Sequence, residues 1–183
     1  ELTQTRLYDP TEDRNYVSTL ISGTQDAVQE KINIEMRNAN LSISVDNAST
    51  QFVNGVFDLE MLEATEELAR NALKNGDITS TEFGSFSDSL RLSAGKGIVN
   101  IVAGNMSSKE LNDLSLYVKG GGEVKGDASP HVITSGDSIL AVVPEGQLSS
   151  ISNHTNSIRE KVARNEAIKE EQRKKQELQN ILA

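Results

Sequence analysis

The segment Asn71 to Phe83, NALKNGDITSTEF, has the spacing of the closing part of an EF-hand calcium loop: Asn75-Gly76, Ile78 two residues on, then Glu82-Phe83. Such a loop surrounds a hard cation with oxygen donors. In this register Asn71 takes the first ligand position, Leu73 the third and Asn75 the fifth. Leucine offers no oxygen, and the upstream half has helical spacing, so the segment reads as a turn between two helices. Gly120-Gly121-Gly122 and Ser93-Ala94-Gly95-Lys96-Gly97 lack the Gly-Lys-Ser/Thr of a phosphate loop and do not follow a strand. His131 and His154 bring no metal-ligand spacing and no recognisable triad. Paired carboxylates, Glu66-Glu67 and Glu170-Glu171, fall on polar helix faces where solvation is the default. Arg173-Lys174-Lys175 follows two glutamates and reads as a mixed-charge helix. No catalytic, cofactor-binding or metal-ligating residue is assigned on this reading, and the chain is not read as an enzyme.

Composition narrows the choice further. The 183 residues carry a net charge of −9, 4% aromatics, 36% apolar residues and neither Trp nor Cys. An acidic surface repels a phosphate backbone, which argues against sequence-specific nucleic-acid binding. Without cysteine there is no disulfide, thiol nucleophile or zinc–thiolate site. No apolar run approaches the roughly 18 residues that span a bilayer, and no signal peptide is visible. A start at Glu1 is what a processed product or a piece of a longer protein would have. Few aromatics and a modest apolar fraction suit an elongated helical protein with a narrow core.

The expected elements organise around Asp58 to Leu92. Leu59, Leu62, Leu68, Ala69, Ala72 and Leu73 recur at helical spacing, with Asp58 placed as N-cap. Gly76 follows where a helix commonly ends in the left-handed region. Thr79 and Glu82 form a capping box, with Ile78 and Phe83 as its staple, and Phe86, Leu90 and Ala94 continue the stripe. A turn this short makes the two helices antiparallel neighbours. Ser107 and Glu110 form a second box, stapled by Met106 and Leu111, and its helix runs to about Val118.

Before this hairpin, residues 1–9 read as an extended arm. Pro10 suits the start of a helix, with Glu12 and Asp13 at the positive end of its dipole. Val17, Leu20, Ile21, Val28, Ile32, Met36, Ala39 and Ile43 predict a helix of about 40 residues, near 60 Å long, with Gly23 as a bend point. After it, Ile98 to Val102 is read as helix, a strand being the lesser reading, with Gly95, Gly97 and Gly104 allowing close helix–helix approach. The expected organisation is a helical hairpin region over 1–118, a flexible Gly-rich linker over 119–134, and a short helix plus a long polar helix over 135–183. Ser135 or Asp137 is expected to cap a short helix at Ile139–Val143, ended by Pro144. Leu148, Ile151, Ile158 and Val162, with Thr155 between, step like a coiled-coil seam. Beyond them Glu166 to Gln179 is polar all round and suited to i,i+4 ion pairs. The fold class is all-α: elongated, stacked helical hairpins with long N- and C-terminal helices.

Two stretches, VDNASTQFVNGVFDLEMLEATEELARNALKNGDITSTEFGSF and SGDSILAVVPEGQLSSISNHTNSIREKVAR, resemble the helical hairpins of internal virion proteins of tailed bacteriophages. The resemblance covers about two-thirds of the chain and rests on helix boundaries. It implies a structural, oligomer-forming protein that takes part in genome ejection, as a core or periplasmic conduit. It implies homo-oligomers, contacts with other virion proteins, and contact with the host envelope through the larger assembly. The implied location is the virion, then the host periplasm or envelope during infection. No functional residue carries over, and the lytic transglycosylase domain of some members is not recognisable here. Loosely packed helical pairs are also expected to unfold readily for passage through a narrow tail.

A helix as long as the first cannot hide its apolar seam in a small core. Val17, Leu20, Ile21, Val28, Ile32 and Met36, with Leu148, Ile151, Ile158 and Val162, are therefore expected to meet another copy or a partner. The rival readings are a helical adaptor binding a partner along its long helices, and a component of a cell-wall hydrolase.

Overall fold

The computed structural model describes residues 10–123 and 126–182. The expected arm over residues 1–9 and the side chains of Glu12 and Asp13 lie outside what is described. Among the described residues there are six α-helices: α1 Pro10–Val53, α2 Leu59–Lys74, α3 Ser80–Ala103, α4 Ser108–Lys119, α5 Pro130–Val142 and α6 Leu148–Leu182, with a 3-10 turn Glu145–Gln147 before α6. Among the described residues there is no strand, so Ile98–Val102 is helix. α1 has 44 residues, about 66 Å at ~1.5 Å each, and it continues unbroken through Gly23.

Local chemistry sets the helix ends. Asp58 accepts the Glu60 amide at 2.9 Å and starts α2. Gly76 adopts φ 74°, and the Asp77 amide then reaches back to the Ala72 carbonyl at 2.9 Å. At α3 the Thr79 amide donates to Glu82 Oε2 at 2.7 Å while the Glu82 amide donates to Thr79 Oγ1 at 3.2 Å. At α4 the Ser107 amide donates to Glu110 Oε2 at 3.0 Å and the Glu110 amide to Ser107 Oγ at 3.3 Å. These backbone hydrogen bonds, helped by the Thr79 and Ser107 hydroxyls, hold both glutamates below the usual carboxylate range. A carboxylate depressed in the folded state stabilises fully above its unfolded pKa, about 4.3. That stability is lost as pH falls through the lower folded values. Chemical denaturation at a series of pH values below 5 should therefore give a falling midpoint, less steep for Glu82→Gln. An equally steep fall in that variant would contradict the assignment.

Contacts between helices fix their directions. Near the start of α3, Asn38 Nδ2 donates to the Asp77 carbonyl at 2.7 Å. Near its end, Asn100 Nδ2 donates to the Val53 carbonyl at 2.7 Å. The second half of α1 therefore runs parallel to α3 and in direct contact with it, with α2 packed antiparallel against both. α6 also runs parallel to α3, since Ile151 lies beside Gly95 and His154 beside Asn100. α4 is antiparallel to α6: the Ser115 and Ser152 hydroxyls meet at 2.8 Å, Arg159 reaches Asn112 at 2.8 Å, and Glu166 takes the Ser108 amide at 3.1 Å.

The main core gathers Phe52 of α1, Leu62 of α2, Leu90 and Val99 of α3, Leu111 and Leu114 of α4, Val132 and Ile139 of α5, and Ile151 of α6. A smaller cluster, Leu41, Val45, Ala69 and Ile78, lies under the α2–α3 turn, with Phe83 packed on it as the staple predicts. In α2 only part of the expected stripe is covered: Leu62 and Ala69 are buried, whereas Leu59 and Leu68 are exposed. Gly97 lets α3 touch the α1 backbone, and a Cβ there would stand 2.2 Å from the Phe52 carbonyl oxygen. Gly136 of α5 similarly makes room for the Tyr117 ring.

Three expectations are corrected. The segment expected as linker over 119–134 is helical from Pro130, because Ser129 caps Val132 and Pro130 sits in the first turn. Ser135 and Asp137 are interior to α5 rather than its cap, and Asp137 accepts from the Tyr117 hydroxyl at 2.6 Å. The region from 135 onward is not a separate unit, because α5 and α6 share one core with α1 to α4.

Candidate interaction surface

α1 carries two apolar faces. Leu41, Val45, Ala48 and Phe52 form the one buried against the bundle. At ~100° per residue, Ile21, Val28, Ile32, Met36 and Ile43 fall within an arc of about 80° lying about 170° away from it. These five are each 43–60% exposed. Tyr16 and Leu20 continue the line of the bundle-facing side beyond the end of the bundle and are exposed there, and Val17 lies between the two faces, also exposed. Every described residue from Arg14 to Ile32 is exposed.

The tether where α1 leaves the bundle is ionic. Arg37 donates through Nε and Nη2 to the two carboxylate oxygens of Asp77 at 2.9 and 2.7 Å, and through Nη2 to Glu30 at 3.0 Å. The hydrogen bonds to Asp77, then to Glu30, push the Arg37 pKa up. Asp77 is buried, so this fork satisfies a carboxylate that water does not reach. At the other end of the bundle, His154 Nε2 and Asn100 Oδ1 are 2.9 Å apart. With Nε2–H as the donor, Val53, Asn100 and His154 form one chain across α1, α3 and α6. Burial first, then Lys96 and Lys161, lowers the His154 pKa, which favours this neutral ring.

The expected seam on α6 is corrected. Leu148 and Ile151 belong to this chain's own core, and Ile158 and Val162 pack partly buried against it. Their period is real, but α4 and α3 already cover them. Beyond Val162 the helix is exposed throughout its described side chains. Arg173 pairs with Glu170 at 2.8 Å and with Glu177 at 2.6 Å, and Lys175 pairs with Glu171 at 2.7 Å, as the polar pattern predicts. The four capping residues, Thr79, Glu82, Ser107 and Glu110, act within the helix ends.

No family model, curated protein or solved structure matches the chain. Function has to be read from the surface itself. Two carboxylates of the EF-hand-like segment are engaged elsewhere, Asp77 by Arg37 and Glu82 as the cap of α3, and Asn71 lies within the helix α2 rather than in a loop. Among the described residues no three His, Asp or Glu side chains are placed to hold a metal ion. No described helix is long and apolar enough to cross a membrane. An open groove of about 540 Å³ is lined by Phe57, Leu59, Ile98, Ile101, Ser138, Ala141 and Val142. Its lining is apolar apart from one hydroxyl and contains no titratable group.

Sequence reasoning passed over three polar contacts. Glu66, expected on a solvated face, is buried and bound by Arg91 and Ser87. Asp77 and Asn100 were not singled out. Only the Gly95 and Gly97 pair signalled that α3 is central, because close backbone approach needs residues without a side chain.

Proposed function

We propose that this chain is a structural, oligomer-forming protein whose contact surface is the outer face of α1. We place it among the proteins of a tailed-phage virion that take part in genome ejection, assembling with copies of itself and with other virion proteins, and meeting the host envelope as part of that assembly. The observation that carries the reading is the position of Ile21, Val28, Ile32, Met36 and Ile43. They form an exposed apolar line, broken only by Gln25, on the side of α1 that faces away from the bundle. Large exposed apolar patches mark interaction sites, and a long isolated helix gains its stability from packing.

Sedimentation velocity over a range of concentrations tests this. The chain should sediment as an oligomer, and Val28→Asp with Ile32→Asp should shift it to monomer while the bundle built on residues 37–162 stays folded, with helix lost only from the uncovered part of α1. A wild-type chain that stays monomeric at high concentration would refute self-assembly. The virion assignment predicts the chain in purified particles and its loss once their DNA is ejected. The apolar groove beside Leu59 and Ile101 favours a second reading, a helical adaptor for a different protein. Monomeric sedimentation together with binding of one cellular protein at that groove would support it.

A further inference from the structure

We propose that α1 pairs with α1 of a second copy, antiparallel, about a two-fold axis at Ile32. This rests on the assembly reading above and adds its register. The outer apolar residues are spaced 7, 4, 4 and 7. Reversed about Ile32, that spacing maps onto itself: Ile21 meets Ile43 of the second copy, Val28 meets Met36, and Ile32 meets Ile32. Gln25, the polar interruption, meets the small side chain of Ala39. A surface that matches its own reversal is what an isologous contact requires. The layers extend over about 33 Å of helix.

Charge selects the direction. Lys31 and Glu35 lie on one edge of the stripe, and the opposite edge carries the amides Gln29, Asn33 and Asn40. An antiparallel two-fold brings like edges together, which sets Lys31 of each copy within about half a helical turn of Glu35 of the other. The described ion pairs of the chain use neither residue. On the stripe itself, Ser18 falls opposite Asp46, and Arg14 lies one turn from the same carboxylate. All four ends of the paired segment thus match. A parallel, in-register pair would instead set Arg14 beside Arg14 and Asp46 beside Asp46, and would turn Lys31 and Glu35 toward amides. It would also hold two acidic bundles, each on a chain of net charge −9, at the same end. The antiparallel pair keeps them at opposite ends. The bundle attaches to the far face of α1, so the second helix lies along residues 37–53 without meeting it.

Because the chain has no cysteine, single cysteines report the register directly. Oxidised Ile32→Cys should give a disulfide-linked dimer, since residues on the axis come within disulfide reach. Ile21→Cys and Ile43→Cys should cross-link to each other in a mixture, and each should stay uncross-linked alone. Lys31→Glu should weaken the dimer about tenfold, and adding Glu35→Lys should restore it. Cross-linking of Ile21→Cys to itself would overturn the antiparallel register while leaving self-assembly intact. A monomer that fails to cross-link at any of these positions would overturn both.

Discussion

Gly97→Ala should destabilise the bundle by about 3 kcal/mol or more. The added Cβ would stand 2.2 Å from the Phe52 carbonyl oxygen and 2.8 Å from its carbonyl carbon. Neither atom can rotate away as a side-chain tip would, so α1 and α3 must separate. Phe52, wholly buried, would lose its seat with them. Gly95→Ala makes the contrast. Its Cβ would meet Val143 Cγ2 at 2.3 Å and Ile151 Cδ1 at 2.9 Å, both of them side-chain ends. That variant should lose less. Gly23→Ala, with nothing within 4 Å, should instead stabilise α1 by roughly 0.5–1 kcal/mol through helix propensity alone. Urea denaturation of the three variants checks the order. Equal stability for Gly97→Ala and wild type would show that the α1–α3 contact is looser than described.

Arg91→Met should cost about 3 kcal/mol at neutral pH. Arg91 holds Glu66 through Nε at 2.5 Å and Nη2 at 2.7 Å, and its Nη1 donates to the Val142 carbonyl at 3.1 Å. Ser87 adds one more donor to Glu66 at 3.1 Å. The Glu66 side chain is 9% exposed, so removing the guanidinium strands a carboxylate away from water. The Arg91 side chain is 33% exposed, which keeps the loss at the low end of the range for broken buried pairs. Adding Glu66→Leu should recover most of the stability, because no charge is then left unpaired. A double-mutant cycle reads the coupling. A double variant less stable than Arg91→Met alone would mean that Glu66 has another role.

The helix boundaries were legible because each is written locally. Asp58, Gly76, Thr79 with Glu82, and Ser107 with Glu110 specify their turns through neighbours within five residues. The start of α5 was misplaced because Ser129-Pro130 follows a glycine-rich stretch that obscures the capping signal. Long-range pairing was not legible at all. Glu66 and Glu67 are identical in sequence terms, and only the arrival of α3 brings Arg91 to one of them. The apolar residues of α1 recur with one helical period, yet the helix turns Leu41, Val45, Ala48 and Phe52 inward and Ile21, Val28, Ile32, Met36 and Ile43 outward. On α6 the reverse held: a seam fit for another molecule is filled by α4 and α3. A surface and a core look alike until the fold decides which side is covered.

The shared direction of α1, α3 and α6 has a mechanical consequence. α1 leaves the bundle at one end and α6 at the other, so tension between the two tips would run along helices lying side by side, as in a lap joint. Separating α1 from α3 that way means sliding the Gly97 contact past Phe52 along its whole overlap instead of peeling it open turn by turn. Such a joint yields at high force when pulled from its tips. It would part far more easily if a motor or a narrow channel gripped one helix and drew it out sideways. How readily the chain unfolds under load would therefore depend on where it is seized.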